Sequence, residues 1–164
     1  MSSASAFTLV ELMIGSVLLV MILVACALAM RGAANANQYG MEKSTSLQQA
    51  SLTLRRISTD IRQANSIQLT QVGCLDLVLP DGKWRRYRWD PAINGNPLVF
   101  WSDDNPLGNT LIPDVTEFTI QTVTGWSEAQ GAEVPLGVRI TIEARQGSAS
   151  TRLDSTVRPR RNIL

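Results

Sequence analysis

The chain has 164 residues, with 15 Lys and Arg against 14 Asp and Glu, and a formal net charge of +1. This length suits one globular domain with an additional segment, and a charge near zero gives no bulk signal for nucleic-acid binding. The chain has no histidine, which excludes Ser-His-Asp and Cys-His catalysis and removes the commonest metal ligand. It also lacks a phosphate-binding glycine loop and a Cys-x-x-Cys spacing. We therefore expect neither an enzyme nor a bound metal or cofactor.

A long apolar segment occupies residues 6–30 near the N-terminus. No charged residue occurs between Leu12 and Met30, and about 20 helical residues are enough to cross a bilayer. Glu11 lies just inside this segment, where a charge is costly and suggests a functional role. The sequence predicts a membrane-spanning helix with one acidic residue near its N-terminal end.

The residues around this acid are Phe7-Thr8-Leu9-Val10-Glu11-Leu12, and they follow a short polar leader that ends in Ala6. This motif resembles the processing site of type IV pilins and type II secretion pseudopilins. The resemblance implies cleavage by a prepilin peptidase between Ala6 and Phe7, N-methylation of Phe7, and a role for Glu11 in assembly. A carboxylate inside a bundle of apolar helices needs a cation, and the Phe7 ammonium of a neighbouring subunit could supply one.

Two other interpretations of the apolar segment stay open. A plain single-pass anchor is one, although it would leave Glu11 unexplained. The other is a lipoprotein lipidated on Cys26. The segment Leu23-Val24-Ala25-Cys26 resembles a lipoprotein signal-peptidase site. A signal peptide has a basic N-terminal region, which this chain lacks. Otherwise Cys26 is a small apolar residue of a membrane helix.

The pattern becomes amphipathic after Arg31. Apolar residues recur at spacings of three and four, which is typical of one helical face: Leu47, Ala50, Leu54, Ile57, Ile61 and Ala64. The charged residues between them are predicted to point away from that face: Arg55, Arg56, Asp60 and Arg62. We predict one helix over roughly residues 7–65, apolar on all sides as far as residue 30 and packed against a sheet in its amphipathic half.

After Asn65 the period changes to two, which indicates β-strands. Strands are predicted at 67–69, 74–79, 83–89, 98–101, 115–123, 138–145 and 153–157. Turns and loops are predicted at 80–82, 94–97, 103–106, 124–136 and 146–148. A helix followed by one antiparallel sheet is an α+β architecture. The predicted organisation is a leader (1–6), a transmembrane and assembly helix (7–30), an amphipathic continuation of that helix (31–65) and a sheet domain (66–164).

The second half of the chain resembles a narrower group within the same family. Residues 54–67, 111–120, 137–145 and 155–162 are similar to W- and J-type minor pilins and pseudopilins, which prime a filament or lie at its tip. The resemblance implies a pilin fold and a minor pilin held in the bacterial inner membrane before it joins a periplasmic or cell-surface filament. The implied partners are other pilin or pseudopilin subunits, the prepilin peptidase, the inner-membrane assembly platform and membrane lipid. A type II secretion pseudopilin is the alternative.

The predicted strand 83–89 interleaves four cations with three aromatic residues. Cations that contact phosphates and rings that stack on bases are the chemistry of single-stranded nucleic-acid binding. The candidate contacts are Lys83, Arg85, Arg86 and Arg88, and further cations near the C-terminus are Arg158, Arg160 and Arg161. A DNA-uptake minor pilin is therefore a further alternative.

Alternation along a strand argues against a single basic patch in this region. Arg85, Tyr87 and Trp89 face one way, whereas Trp84, Arg86 and Arg88 face the other. We favour a strand whose inner face places Tyr87 and Trp89 in the core, with the arginine side chains reaching towards solvent.

The chain also has a short acidic segment and a second cysteine. Asp103-Asp104-Asn105 offers oxygen atoms of the kind that Ca²⁺ binds, but three adjacent residues fall short of a full calcium coordination shell. A solvated turn is the favoured interpretation. Cys74 lies far from the membrane segment, so a disulfide with Cys26 is not expected, and Cys74 is predicted to be a buried small apolar residue.

Overall fold

The computed structural model describes residues 8–71, 73–93, 95–127 and 131–159. The chain divides into two compact units, one ending at Gly40 and the other beginning at Met41. The predicted leader, residues 1–6, and Phe7 lie outside the described residues.

One helix, α1, is followed by strands that pair in the antiparallel sense, which confirms the predicted α+β class. The elements are α1 (Leu9–Gln63), β1 (Ser66–Gln71), β2 (Cys74–Val78), β3 (Trp84–Trp89), β4 (Leu98–Ser102), β5 (Asn105–Ile112), β6 (Val115–Ser127), β7 (Ala132–Gln146) and β8 (Ala149–Val157). The helix contains no proline, so no residue in it lacks the backbone N–H that an α-helix requires.

In the second unit, α1 presents one face to the sheets. The buried helix residues recur at spacings of three and four: Ser46, Ala50, Thr53, Ile57, Asp60 and Ile61. The predicted apolar face is therefore mostly confirmed, although Leu47 is 45% exposed. The prediction that Asp60 points away from this face is wrong, since Asp60 is only 3% exposed. Asp60 lies three residues after Ile57 on the same face, and partners on β3 compensate its charge.

The strands form two sheets where the sequence predicted one. The first sheet has the order β1-β2-β3-β4-β5, and the second has the order β6-β7-β8. Inner-face residues of both sheets join those of α1 in a single hydrophobic core, which includes Ile57, Tyr87, Phe118 and Ile140. The Nε1 atom of Trp89 donates a hydrogen bond to the Val115 carbonyl at 3.1 Å, so β3 of the first sheet is tied to β6 of the second.

Two predicted loops are strands. Asn105 begins β5, which pairs with β4 although its sequence, NPLGNTLI, contains weak strand formers. The predicted loop at 124–136 is the outer part of a hairpin, in which β6 extends to Ser127 and β7 begins at Ala132. Pairing with a neighbouring strand overrides local propensity in both places.

The predicted alternation along β7 is confirmed except at Thr141, which lies on the polar face but is only 5% exposed. Its apolar residues are buried, namely Val138, Ile140, Ile142 and Ala144, while Arg139 and Arg145 are exposed. The following turn leads to β8, whose nine residues pair with β7 in continuous register.

The turn between β7 and β8 contacts the helix through Glu42. The Glu42 carboxylate accepts hydrogen bonds from the Ser148 backbone N–H at 3.0 Å and from the Ser148 hydroxyl at 3.1 Å. Gly147 has φ +58°, a conformation that favours glycine, and a Cβ built there would lie 2.5 Å from the same carboxylate. Helix and turn thus meet where a side chain at 147 would intrude.

We expect Gly147→Ala to lower the free energy of unfolding by about 2 kcal/mol, because it adds backbone strain and displaces Glu42 from Ser148. Gly82→Ala is the matched control, since Gly82 also has positive φ but nothing lies within 4 Å of its Cβ position. Denaturant unfolding of the full chain in mild detergent measures both variants. Equal losses in the two would show that the Glu42 contact contributes nothing.

Candidate functional site

The N-terminus of α1 is closed by a reciprocal pair of hydrogen bonds between Thr8 and Glu11. The Glu11 carboxylate accepts from the Thr8 backbone N–H at 2.9 Å, and the Thr8 hydroxyl oxygen accepts from the Glu11 backbone N–H at 3.3 Å. The Thr8 hydroxyl also donates to the Glu11 carboxylate at 3.0 Å. This is a capping box, in which the first orphan donors of a helix are satisfied by two side chains three residues apart. Glu11 therefore has a local structural role that the sequence analysis did not anticipate.

The helix surface that follows Glu11 is apolar and exposed. Every residue from Thr8 to Gly40 is exposed, and the part up to Met30 has large apolar side chains on all sides of the helix. Within the described residues, α1 is the one helix long and apolar enough to cross a membrane. Such a surface is compatible with membrane anchoring.

Three of the candidate DNA-contacting cations are each paired with a carboxylate: Arg86 and Arg88 on the outward side of β3, and Lys83 just before the strand. Arg86 bonds Asp76 through both Nε (2.6 Å) and Nη2 (2.9 Å). Arg88 bonds Asp90 at 2.9 Å, and Lys83 bonds Asp104 at 2.9 Å. Arg158 is exposed, whereas Arg160 and Arg161 lie outside the described residues.

These contacts shift the pKa values of Asp76, Arg86 and Lys83 in the expected sense. The hydrogen bonds from Arg86 lower the pKa of Asp76 below its ordinary value, and the same contact raises the pKa of Arg86. The hydrogen bond to Asp104 raises the pKa of Lys83. The outward face of β3 thus carries neutralised pairs, which weakens its attraction for a phosphate backbone.

The fourth candidate cation, Arg85, points inward to the helix. It donates to one oxygen of the buried Asp60 carboxylate, and the Tyr87 hydroxyl donates to the other oxygen at 2.5 Å. The predicted division of β3 into two faces is confirmed, with Tyr87 fully buried and Trp89 packed against the core. Asp60, Arg85 and Tyr87 form a cluster, the Asp60 cluster, that ties α1 to the centre of the first sheet.

Aromatic contacts extend the Asp60 cluster along the sheet. The Tyr87 and Phe100 ring centroids are 5.1 Å apart, and the Arg56 guanidinium carbon lies 3.8 Å from the Phe100 centroid. Burial raises the pKa of the Tyr87 phenol, and the nearby Asp60 charge raises it further. Tyr87 consequently stays protonated and keeps its role as the donor to Asp60.

Asp103 and Asp104 lie in the turn between β4 and β5 and already have partners. The Asp103 carboxylate accepts from the Trp84 backbone N–H at 2.7 Å, and Asp104 pairs with Lys83. Among the described residues, no three His, Cys, Asp or Glu side chains are grouped so that they could hold a metal ion.

Both cysteines are free thiols. Cys74 is buried on β2, and burial raises the pKa of its thiol, so it is the small apolar core residue predicted. Cys26 is exposed on α1. The proposed cleavage and methylation positions, Ala6 and Phe7, lie outside the described residues.

The signal for the capping box is present in the sequence, because Thr8 and Glu11 have the Ser/Thr-x-x-Glu spacing. The Asp60 cluster has a weaker signal. Asp60 falls at helical spacing from Ile57 and Ala64, but its partners come from a strand about 25 residues away, and nothing local indicates that pairing.

We expect Asp60→Ala to lower the free energy of unfolding by about 3 kcal/mol, since it leaves Arg85 and the buried Tyr87 hydroxyl without their acceptor. Asp104→Ala is the matched control, because the Asp104–Lys83 pair is exposed and exposed pairs contribute less than about 1 kcal/mol. Denaturant unfolding of the full chain in mild detergent compares them. Similar losses in the two variants would contradict a special role for Asp60.

Comparison of the chain with protein-family models, with curated proteins and with solved structures gave no match. Three features of the chain itself bear on its function: the Phe7–Leu12 motif, the apolar surface that follows it and the α+β unit that begins at Met41.

Proposed function

We propose that this chain is a minor pilin, a non-catalytic structural subunit of a type IV pilus-like filament. The proposal rests chiefly on one observation: the helix surface from Leu12 to Met30 is exposed and uncharged, and it follows directly after Glu11 and the prepilin-like motif. Glu11 is the assembly residue in this proposal.

The exposed apolar surface of the helix is stabilised when a bilayer or other helices remove it from water. Side chains such as Leu12 (68% exposed), Met21 (64%) and Leu28 (62%) gain about 25 cal/mol for each Å² of apolar surface removed from water. A bilayer removes that surface before assembly, and a bundle of like helices removes it afterwards. Residues 7–30 thus serve first as a membrane anchor and then as part of a fibre core.

The partners and location follow from this sequence of events. The chain begins as a single-pass protein of the bacterial inner membrane, where a prepilin peptidase cuts before Phe7 and an assembly platform receives the product. It then joins other pilin subunits in a periplasmic or cell-surface filament. A type II secretion pseudopilin uses the same anchor and the same processing, and it stays the alternative. The carboxylate pairs on β3 favour a structural role for that strand over DNA uptake.

The first test is the intact mass of the mature protein purified from its native cell. We expect the loss of residues 1–6 and the gain of one methyl group on Phe7. An unprocessed mass would overturn the proposal. A mass that begins at Cys26 with acyl chains attached would do the same and would establish the lipoprotein alternative.

The second test separates the charge of Glu11 from its capping role. Glu11→Gln keeps a side chain able to accept the Thr8 hydrogen bond but removes the charge. We expect this variant to insert into the membrane normally and to enter filaments about tenfold less, because the assembly contact needs a carboxylate. Glu11→Ala should show the same loss. Membrane fractionation and immunoblotting of sheared filaments measure the two steps.

Thr8→Ala is the matched control for this experiment, since it weakens the cap and leaves the carboxylate in place. We expect it to enter filaments nearly as well as the unaltered chain. If Thr8→Ala and Glu11→Ala fail while Glu11→Gln assembles normally, the cap rather than the charge is what assembly needs.

A further inference from the structure

The edges of the two sheets differ in how well they are protected against pairing with another strand. Within the described residues the sheet edges are β1, β5, β6 and β8. Register shifts interrupt the pairing of three edge strands with their neighbours, namely β1, β5 and β6. β5 also contains Pro106 and Gly108. Bulges and prolines of this kind discourage edge-to-edge pairing. β8 has neither, and it keeps continuous register from Ala149 to Val157 with no Pro, Gly or Lys.

The sequence of β8 is chemically symmetric about Leu153. Its nine residues are Ala-Ser-Thr-Arg-Leu-Asp-Ser-Thr-Val. If two copies of β8 paired in the antiparallel sense with Leu153 opposite Leu153, Arg152 of each copy would face Asp154 of the other. The remaining opposed pairs would be Ala149 with Val157, Ser150 with Thr156, and Thr151 with Ser155. Every opposed pair would then match in polarity or be opposite in charge.

The two faces of β8 also match under this two-fold pairing. Ala149, Leu153 and Val157 lie on the core side, where Leu153 packs partly against the hydrophobic core. Arg152 and Asp154 lie on the solvent side, with side chains 53% and 54% exposed. Pairing about Leu153 would therefore continue the core face and the polar face of the sheet without inverting either.

The carboxylates near β8 could form an ion pair with a second arginine. Arg152 is surrounded by three carboxylates, at 2.8 Å from Glu117, 3.7 Å from Asp154 and 4.0 Å from Glu143. Asp154 also accepts a hydrogen bond from the Thr141 hydroxyl. The Arg152 guanidinium thus lies within 4.0 Å of three carboxylates, and Arg139 lines the same surface cavity as Asp154. The Arg152 of a second copy would bring a further cation next to Asp154.

We propose that β8 is a homodimerisation strand, which pairs antiparallel with β8 of a second copy about a two-fold axis at Leu153. Such a contact uses the same surface on both chains and closes at two subunits. Nine residues of strand pairing make a small interface, so the dimer is weak in dilute solution. Confinement of both chains in one membrane raises their effective concentration. This inference concerns a two-fold contact and goes beyond the proposed filament role.

Cysteine cross-linking of the full chain in membranes tests the register. Opposed Cα atoms in antiparallel strands are about 4.5–5.5 Å apart, within the range that a disulfide bridges. In a Cys26→Ala parent, Leu153→Cys should give a disulfide-linked dimer on mild oxidation. Ser150→Cys is the control, because the two copies of residue 150 would lie about 20 Å apart along the strands. Equal cross-linking of both variants, or of neither, would overturn the proposal.

Leu153 contacts the core, so a second pair of variants avoids it. Thr151→Cys mixed with Ser155→Cys should form a mixed dimer, while each variant alone should form none. A mixed dimer no more abundant than the self-linked products would contradict the register.

Charge exchange tests the recognition itself. Arg152→Glu alone sets a second carboxylate against Asp154, and Asp154→Arg alone sets two arginines against each other, so each change should reduce Leu153→Cys cross-linking at least about fivefold. A 1:1 mixture of the two should restore it, because each strand then meets its complement. Restoration also shows that both variants are folded. Failure of the mixture to exceed the single variants would refute the proposed pairing.

Discussion

The second unit depends most on the two hydrogen bonds that the buried Asp60 carboxylate accepts from Arg85 and Tyr87. This carboxylate lies on the helix face that meets the first sheet, and its two oxygens are each taken by a donor from β3. A charge in that position is stable only while both partners are present. The position of β3 against α1 is therefore specified by a polar contact within a core built mainly of apolar side chains.

The first unit obeys a different constraint. From Thr8 to Gly40 its helix has no buried residue, and it has no charge between Leu12 and Met30, a pattern compatible with membrane anchoring. The capping box at Thr8 and Glu11 satisfies backbone donors that an apolar environment would leave unpaired. Glu11 thus caps the first turn of the helix, and its carboxylate lies on the exposed surface of the described residues.

Much of the architecture is predictable from the sequence, because it follows from periodicity. The apolar segment, the helical spacing through Ile57 and the alternation from Val138 to Ala144 each identify an element and its inner face. The division into two sheets was not predictable, since it depends on which strands pair. β5 was missed for a related reason: its Asn, Pro and Gly residues indicate a loop, and only β4 makes them a strand.

The candidate site is likewise only partly predictable from the sequence. Glu11 and the cations of β3 are visible in the sequence because they interrupt or alternate with apolar residues. The partners of these cations are not visible in the sequence, because only tertiary contacts bring Asp60, Asp76 and Asp104 next to them. Asp60 in particular looks like one more exposed helix charge until the position of Arg85 is known.

The hydrogen bond from the Trp89 indole to the Val115 carbonyl has a spectroscopic consequence. The chain's four tryptophans, Trp84, Trp89, Trp101 and Trp126, all lie after the helix. Tryptophan fluorescence therefore reports on no residue within α1. Trp89 is half-buried where β3 of the first sheet contacts β6 of the second. We expect its fluorescence to change when the hydrogen bond between the two sheets is broken.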